Sequence, residues 1–383
     1  MKLAATVALA TLSSLAAQAG AAPSYTVIDL GAAGASSQGM SISSSGNYAL
    51  GRSVVTGGAP AFVWSAATGT RSDWAMPTSP TRAYGPNTVD VSGVNNLGVA
   101  VATLGATSGG ATPLPAMWSA STGTVTYLNM PGGYTLGRVA DINDSGIAVG
   151  GAGPNTTNLV PVLYDTRTNT SRQITATAGS AYMVTPQNIN NAGLVIGTGL
   201  AAPGSSTQVA LVYDSMADTM TRIDLSAISS STTVALYGES ENGWVVGAIG
   251  GTTAFRWSAA TGAQVIPLPA GVTNGFVTPY AINSDGAVVG KASAGNTSFY
   301  FDGTSSYTLN SLLADNAAGW SLTNTSATAY GLADNGSIIV TGTNSAGVVH
   351  ALVLASAVPE PASGALMLAG LAGAALLARR RRH

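Results

Sequence analysis

The chain has 383 residues, 46% of them hydrophobic and only 8% charged, with a formal net charge of −2. That composition excludes a disordered chain and supplies ample material for a core. Cysteine is absent, which excludes disulfides and thiolate metal sites, while 48 glycines suit an all-β protein with many tight turns.

Residues 1–22, MKLAATVALATLSSLAAQAGAA, place Lys2 before an uncharged Ala/Leu region and close on small residues. This is the layout of a secretory signal peptide. PSYTVIDLG, residues 23–31, then reads as a single β-strand ended by Gly31. A Gly/Ala/Ser-rich loop follows, and no partner strand lies within hairpin distance.

From there the chain repeats one phrase seven times. It runs SISSSGNYALG (41–51), GVNNLGVAVA (93–102), DINDSGIAVG (141–150), NINNAGLVIG (188–197), GESENGWVVG (238–247), AINSDGAVVG (281–290) and GLADNGSIIVTG (331–342). The shared glycines, Gly46, Gly98, Gly146, Gly193, Gly243, Gly286 and Gly336, follow one another at intervals of 52, 48, 47, 50, 43 and 50 residues. Each phrase reads as a hairpin. An apolar residue such as Ile142 closes one strand, Asn143 starts the turn through its side chain, and Gly146 takes the left-handed position.

A third strand follows each hairpin and ends in an aromatic residue and a polar turn in most copies, as in AFVWSAATG (61–69) and AFRWSAATG (254–262). Six repeats then add a fourth strand, such as TRIDLSA (221–227). Four short strands per unit of about this length predict a β-propeller blade. The seventh repeat lacks its fourth strand and would leave an open edge. SYTVIDLG resembles the fourth-strand segments, so we expect it to cross to the last repeat and close the ring. The predicted fold is all-β, a seven-bladed propeller over residues 23–357 with 28 strands.

The repeats also resemble the HAF family of bacterial extracellular repeats, in which a strand beginning His-Ala-Phe follows an Asn-x-x-Gly-x-x-Val-Gly hairpin. Only HAL at His350 keeps the histidine; the other copies read PAF, PAM, PVL, VAL, TAF and TSF.

Little in the body points to chemistry. Its one histidine, His350, lies in a repeat strand and fits a structural role; Ser–His–Asp catalysis and a zinc site are both disfavoured. We assign no catalytic residue, metal or cofactor. The paired-carboxylate candidates are Asp141, Asp144, Glu239, Glu241, Asp285 and Asp334. Asp144, Glu241 and Asp334 share a turn position with Ser44, Asn96, Asn191 and Ser284, so turn formation accounts for them. Calcium would need several of these acids to converge. Trp64, Trp118 and Trp257 share a repeat position with Tyr164, Tyr213 and Phe301 and are expected to pack between blades; Trp74, Trp244 and Trp320 do not follow the repeat.

With the N-terminal strand outermost in its blade, the first strand of each repeat lines the axis. The connections 77–91, 131–139 and 314–328 and the loops 102–115 and 198–209 then gather on one face. Arg82, Tyr84, Tyr134, Arg138 and Trp320 are the side chains there suited to grip a sugar or peptide.

The C-terminal residues 358–383 place Pro359, Glu360 and Pro361 before an uncharged run, 364–378, and then Arg379, Arg380, Arg381 and Arg382. As a helix that run is about 22 Å long, short of a hydrocarbon core of about 30 Å. The arginines stay cytoplasmic and the body outside. The tail resembles the PEP-CTERM sorting signal, which implies export by a Gram-negative bacterium, recognition in the inner membrane by an exosortase-type enzyme, removal of the tail, and delivery to the cell surface or exopolysaccharide matrix. Between the two ends the body carries nine basic and fifteen acidic residues, an acidic balance that argues against nucleic acid. These features predict a non-enzymatic surface or matrix propeller that binds exopolysaccharide or an envelope protein. The alternative is a glycoside hydrolase or lyase using acids near the axis.

Overall fold

The computed structural model describes residues 22–31, 35–54, 61–74, 89–105, 112–273, 275–317 and 319–356. The predicted signal-peptide segment through residue 21, the sorting tail, Arg82 and Tyr84 lie outside the described residues.

Seven antiparallel sheets follow one another along the chain as the blades of a propeller. In blade 3 the order is Leu136–Ile142, Ile147–Gly153, Val160–Asp165 and Thr170–Gln173, each strand paired with the next. Blades 1, 2, 4, 5 and 6 repeat this order over 36–73, 89–127, 181–222, 234–265 and 277–308. The seven predicted turn glycines all take positive φ, between 72° and 86°, a region that a Cβ disfavours.

Blade 7 is assembled from both ends of the body. Its first three strands are Ala329–Leu332, Ile338–Asn344 and Val349–Ser356, and its outer strand is Tyr25–Asp29. The register runs from Tyr25 opposite Ser356 to Asp29 opposite Leu352, and Leu30 N–H extends it to the Ala351 carbonyl. The strand that had no local partner therefore closes the ring, as expected.

The described residues contain 30 strands rather than the expected 28. The two additions are two-residue strands that use surplus backbone. Thr177–Ala178 folds back onto Ala181 and Tyr182 through a turn at Gly179. Trp320–Ser321 pairs with Asn344 and Thr343, where the second strand of blade 7 outruns the short first strand.

Seven apolar clusters hold the sheets together, one at each junction between neighbouring blades. The repeat aromatics sit in them as expected: Trp64 packs where blade 1 meets blade 7, Tyr213 where blade 4 meets blade 3, and Phe301 where blade 6 meets blade 5. Burying one such side chain contributes about 1.5–3 kcal/mol. Trp74, outside the repeat pattern, stacks on Trp118 at 5.6 Å with an interplanar angle of 11°.

Every first strand carries the same irregularity. The pairing register slips, skipping Met40, Ser92, Ala140, Gln187, Tyr237, Tyr280 or Tyr330, and blade 4 slips a second time at Val184. Such a bulge bends the strand and re-aims the extra side chain. It also brings the bent strand close to its neighbour: a Cβ on Gly150 would lie 2.0 Å from the Arg138 carbonyl, and one on Gly290 equally close to that of Thr278. In blades 3 and 6 the second glycine of the repeat phrase is thus the residue that accommodates the bulge.

Candidate functional site in the axial cavity

The seven bulge residues meet at the ring axis. All seven line one cavity of about 610 Å³, bounded by Ser44, Asp144, Asn191 and Asp334 at the turn end and by Asp90, Arg138 and Thr185 towards the other. Its wall is asymmetric. Blades 5, 6 and 7 contribute Tyr237, Tyr280 and Tyr330, a continuous aromatic row with ring centroids 5.7 Å and 5.0 Å apart. Burial and the neighbouring phenols push the Tyr280 hydroxyl above its ordinary pKa. Blades 1 to 4 contribute the smaller or polar Met40, Ser92, Ala140 and Gln187.

Two carboxyl groups border the same cavity. Asp141 Oδ2 accepts from Ile189 N–H at 3.2 Å and Asn188 Nδ2 at 3.4 Å. Burial pushes its pKa up to about 6 against these bonds, and the Glu241 charge adds to the rise. Glu239 is displaced further, well above the usual carboxylate range, by burial and then by the charges of Asp141 and Glu241; the Asn190 backbone N–H opposes the rise. Both side chains keep some exposure, as expected of groups bordering a cavity, but protein surrounds them closely enough to disfavour the charged form. Glu239 Oε1 is buried and has no hydrogen-bond partner.

Glu239 carries a signal that the turn-based reading passed over. It occupies the place of Ile42, Val94, Ile142, Ile189, Ile282 and Leu332, the apolar residue that closes the first strand in the other six repeats. An acid at a position that the repeat reserves for core is costly to bury.

The turn acids hydrogen-bond to neighbouring blades rather than within their own turns. Asp144 accepts from Asn96 N–H and Asn96 Nδ2, each at 2.7 Å, while its own N–H donates to Asn191 Oδ1. Glu241 accepts from Asn191 N–H, Asp334 accepts from Ser284 N–H, and Asp334 N–H donates to the Ser44 carbonyl. The turn-starting asparagines add a second row. Asn143 Oδ1 accepts from Ile147 N–H within its own turn, and its Nδ2 donates to the Asn190 carbonyl of the next blade.

Of the predicted loop-face residues, Tyr134, Arg138 and Trp320 fall within the described residues, each in a different setting. Arg138 is exposed at the cavity mouth. Tyr134 packs against the cluster between blades 2 and 3. Trp320 lies in the short added strand and tilts onto the His350 ring at 5.6 Å. Among the described residues no group of three or more His, Asp and Glu is arranged to hold a metal ion, and no helix is long and apolar enough to cross a membrane.

Residues 357–382 match the PEP-CTERM protein-sorting motif. This signal makes the chain an exported propeller sorted through exosortase-type processing, with transient membrane anchoring beforehand. Comparison with curated proteins finds no match. Among solved structures, the chain is similar to an oligogalacturonate lyase from Vibrio parahaemolyticus, with a TM-score of 0.52 and 12% identity over 87% of this chain and 94% of that one. It is similar to YCF48 from Cyanidioschyzon merolae, with a TM-score of 0.51 and 9% identity over 86% and 98%. A prolyl endopeptidase structure gives a TM-score of 0.50 at 8% identity over 84% of this chain, which spans 50% of the endopeptidase. At these identities the likeness concerns the fold alone.

Proposed function

We propose that the protein is a non-enzymatic binding propeller, delivered to the cell surface or extracellular matrix of a Gram-negative bacterium, that holds part of an exopolysaccharide chain in its axial cavity. The observation that carries this reading is the row Tyr237, Tyr280 and Tyr330 along one wall, facing hydrogen-bonding groups such as Ser92 and Gln187. Apolar faces of sugar rings stack on such aromatics, while their hydroxyls bond to polar walls. The volume falls within the range of about 300–1,000 Å³ usual for ligand sites. The HAF-type resemblance of the repeats agrees with an extracellular setting.

A glycan array probed with the full-length chain in mild detergent tests this. Binding to at least one polysaccharide, lost in Tyr280→Ala, is expected; no binding to any glycan would remove the reading.

A second reading, a glycoside hydrolase or lyase, draws on Asp141 and Glu239, two carboxyl groups with raised pKa bordering one cavity. Two features favour holding over cleaving: Asp141 is engaged by Asn188 and Ile189, and Glu239 Oε1 is buried. Shortening of a bound polysaccharide, abolished in Glu239→Gln, would reverse that order.

A further inference from the structure

The charge of the cavity wall is lopsided. Asp90, Asp141, Asp144, Glu239, Glu241 and Asp334 bring six carboxyl groups to it, and Arg138 is the one basic residue among its lining residues. Asp144, Glu241 and Asp334 commit oxygens to neighbouring turns. Asp141 and Glu239 stand apart from that scheme, and Glu239 Oε1 has no partner at all. Burial disfavours the charged form of a carboxyl held where six equivalent positions carry an aliphatic residue, and a cation brought beside it restores that form.

A neutral sugar on the tyrosine row brings no such charge, and an anionic one meets repulsion from the acids of the lining. An ammonium group suits this lining, because the face of an aromatic ring attracts a cation and a carboxylate pairs with it. Extending the reading that this cavity holds a saccharide, we infer that it selects a cationic one, a hexosamine chain bearing free ammonium groups, seated against the row Tyr237, Tyr280 and Tyr330 and beside the carboxyl groups of Asp141 and Glu239. Hydroxyl and amide side chains lining the same cavity from blades 2 and 4, among them Ser92, Thr103, Thr185 and Gln187, suit the sugar hydroxyls and favour a saccharide over a lysine-rich peptide.

The test is calorimetric titration of the full-length chain in mild detergent, near pH 7.5, with three probes. They are an N-trimethylated chitosan oligosaccharide of fixed charge, the N-acetylated oligosaccharide of equal length, and oligolysine. The charged saccharide is expected to bind about tenfold more tightly than the acetylated one. Glu239→Ile, which installs the residue found at 142 and 189, and the isosteric Glu239→Gln are each expected to reduce that preference to about threefold or less, with an unchanged circular dichroism spectrum. Equal affinity for the two saccharides overturns charge selection and leaves saccharide binding standing. Oligolysine binding as tightly as the charged saccharide overturns the ligand assignment. Failure of both saccharides to bind overturns the saccharide reading itself.

Discussion

His350 Nδ1 lies 2.9 Å from Asp29 Oδ1 and 3.0 Å from Oδ2, across 321 residues of chain. A carboxylate only accepts, so Nδ1 carries the proton and donates. The contact joins the third strand of blade 7 to the strand that closes it. The ring also fills the place of a side chain on Gly31, where a Cβ would meet it at 2.4 Å. The one histidine kept in its repeat position is thus the one facing the N-terminal strand. Asp29→Ala should cost about 1–3 kcal/mol, the range for a hydrogen bond to a charged group. His350→Ala should cost more, through the cavity left beneath Trp320. Urea denaturation midpoints matching the parent in both variants would contradict this role.

Closure itself is open to a direct test. Removing residues 25–29 uncovers the outer edge of Val349–Ser356, and an unpaired edge seeks another strand. A chain lacking this segment should sediment as oligomers or aggregate. A monodisperse monomer of parental stability would show that the strand is dispensable.

The turn network predicts different costs for acids that look alike in sequence. Asp144 accepts three bonds at 2.7 Å from the turns on either side. Asp285, one turn position later, is exposed. Asp144→Ala should therefore lower stability by about 1–3 kcal/mol, and Asp285→Ala by no more than about 0.5 kcal/mol. Chemical denaturation of the two variants side by side gives the answer; equal costs would mean that the network contributes nothing.

Asp141 and Glu239 should make the fold acid-favoured. A carboxyl with a raised folded-state pKa contributes stability below its ordinary value, 3.8 for aspartate, and loses it as the pH rises through the folded value, about 6 for Asp141. Between about pH 4 and pH 7 the Asp141 contribution changes by about 2 kcal/mol, and Glu239 acts with the same sign. Asp141→Asn combined with Glu239→Gln should flatten that part of the stability profile. A double variant whose profile parallels the parent would place the pH dependence elsewhere.

For the tail, replacing Pro359, Glu360 and Pro361 with alanine should block processing and leave the full-length chain in the inner-membrane fraction. Mass spectrometry and fractionation of cells with an exosortase system read this out. Normal trimming and release would separate sorting from the motif.

Much of the architecture was legible because it is carried by local rules applied repeatedly. A left-handed turn needs Gly146 and its six counterparts whatever surrounds it, and seven such turns at similar spacing imply seven like units. An unpaired edge at one end and an unpartnered strand at the other imply a circle. The bulges were not legible, because a register slip is a property of two strands, and Gly150 reads as an ordinary strand glycine until the Arg138 carbonyl is seen against it. Glu239 is legible against its aligned neighbours, because it stands at a strand position where turn formation does not account for an acid.

The amino-acid order by itself determined the repeat, the closure and the sorting tail, since each rests on patterns of neighbouring residues or on a pairing that had one remaining solution. Only the tertiary structure decided where the axial cavity lies and which side chains line it. Tyr237, Tyr280 and Tyr330 are separated by 43 and 50 residues, and they share a wall because seven bulged strands converge on one axis. Convergence is a property of the closed ring, and no single repeat contains it.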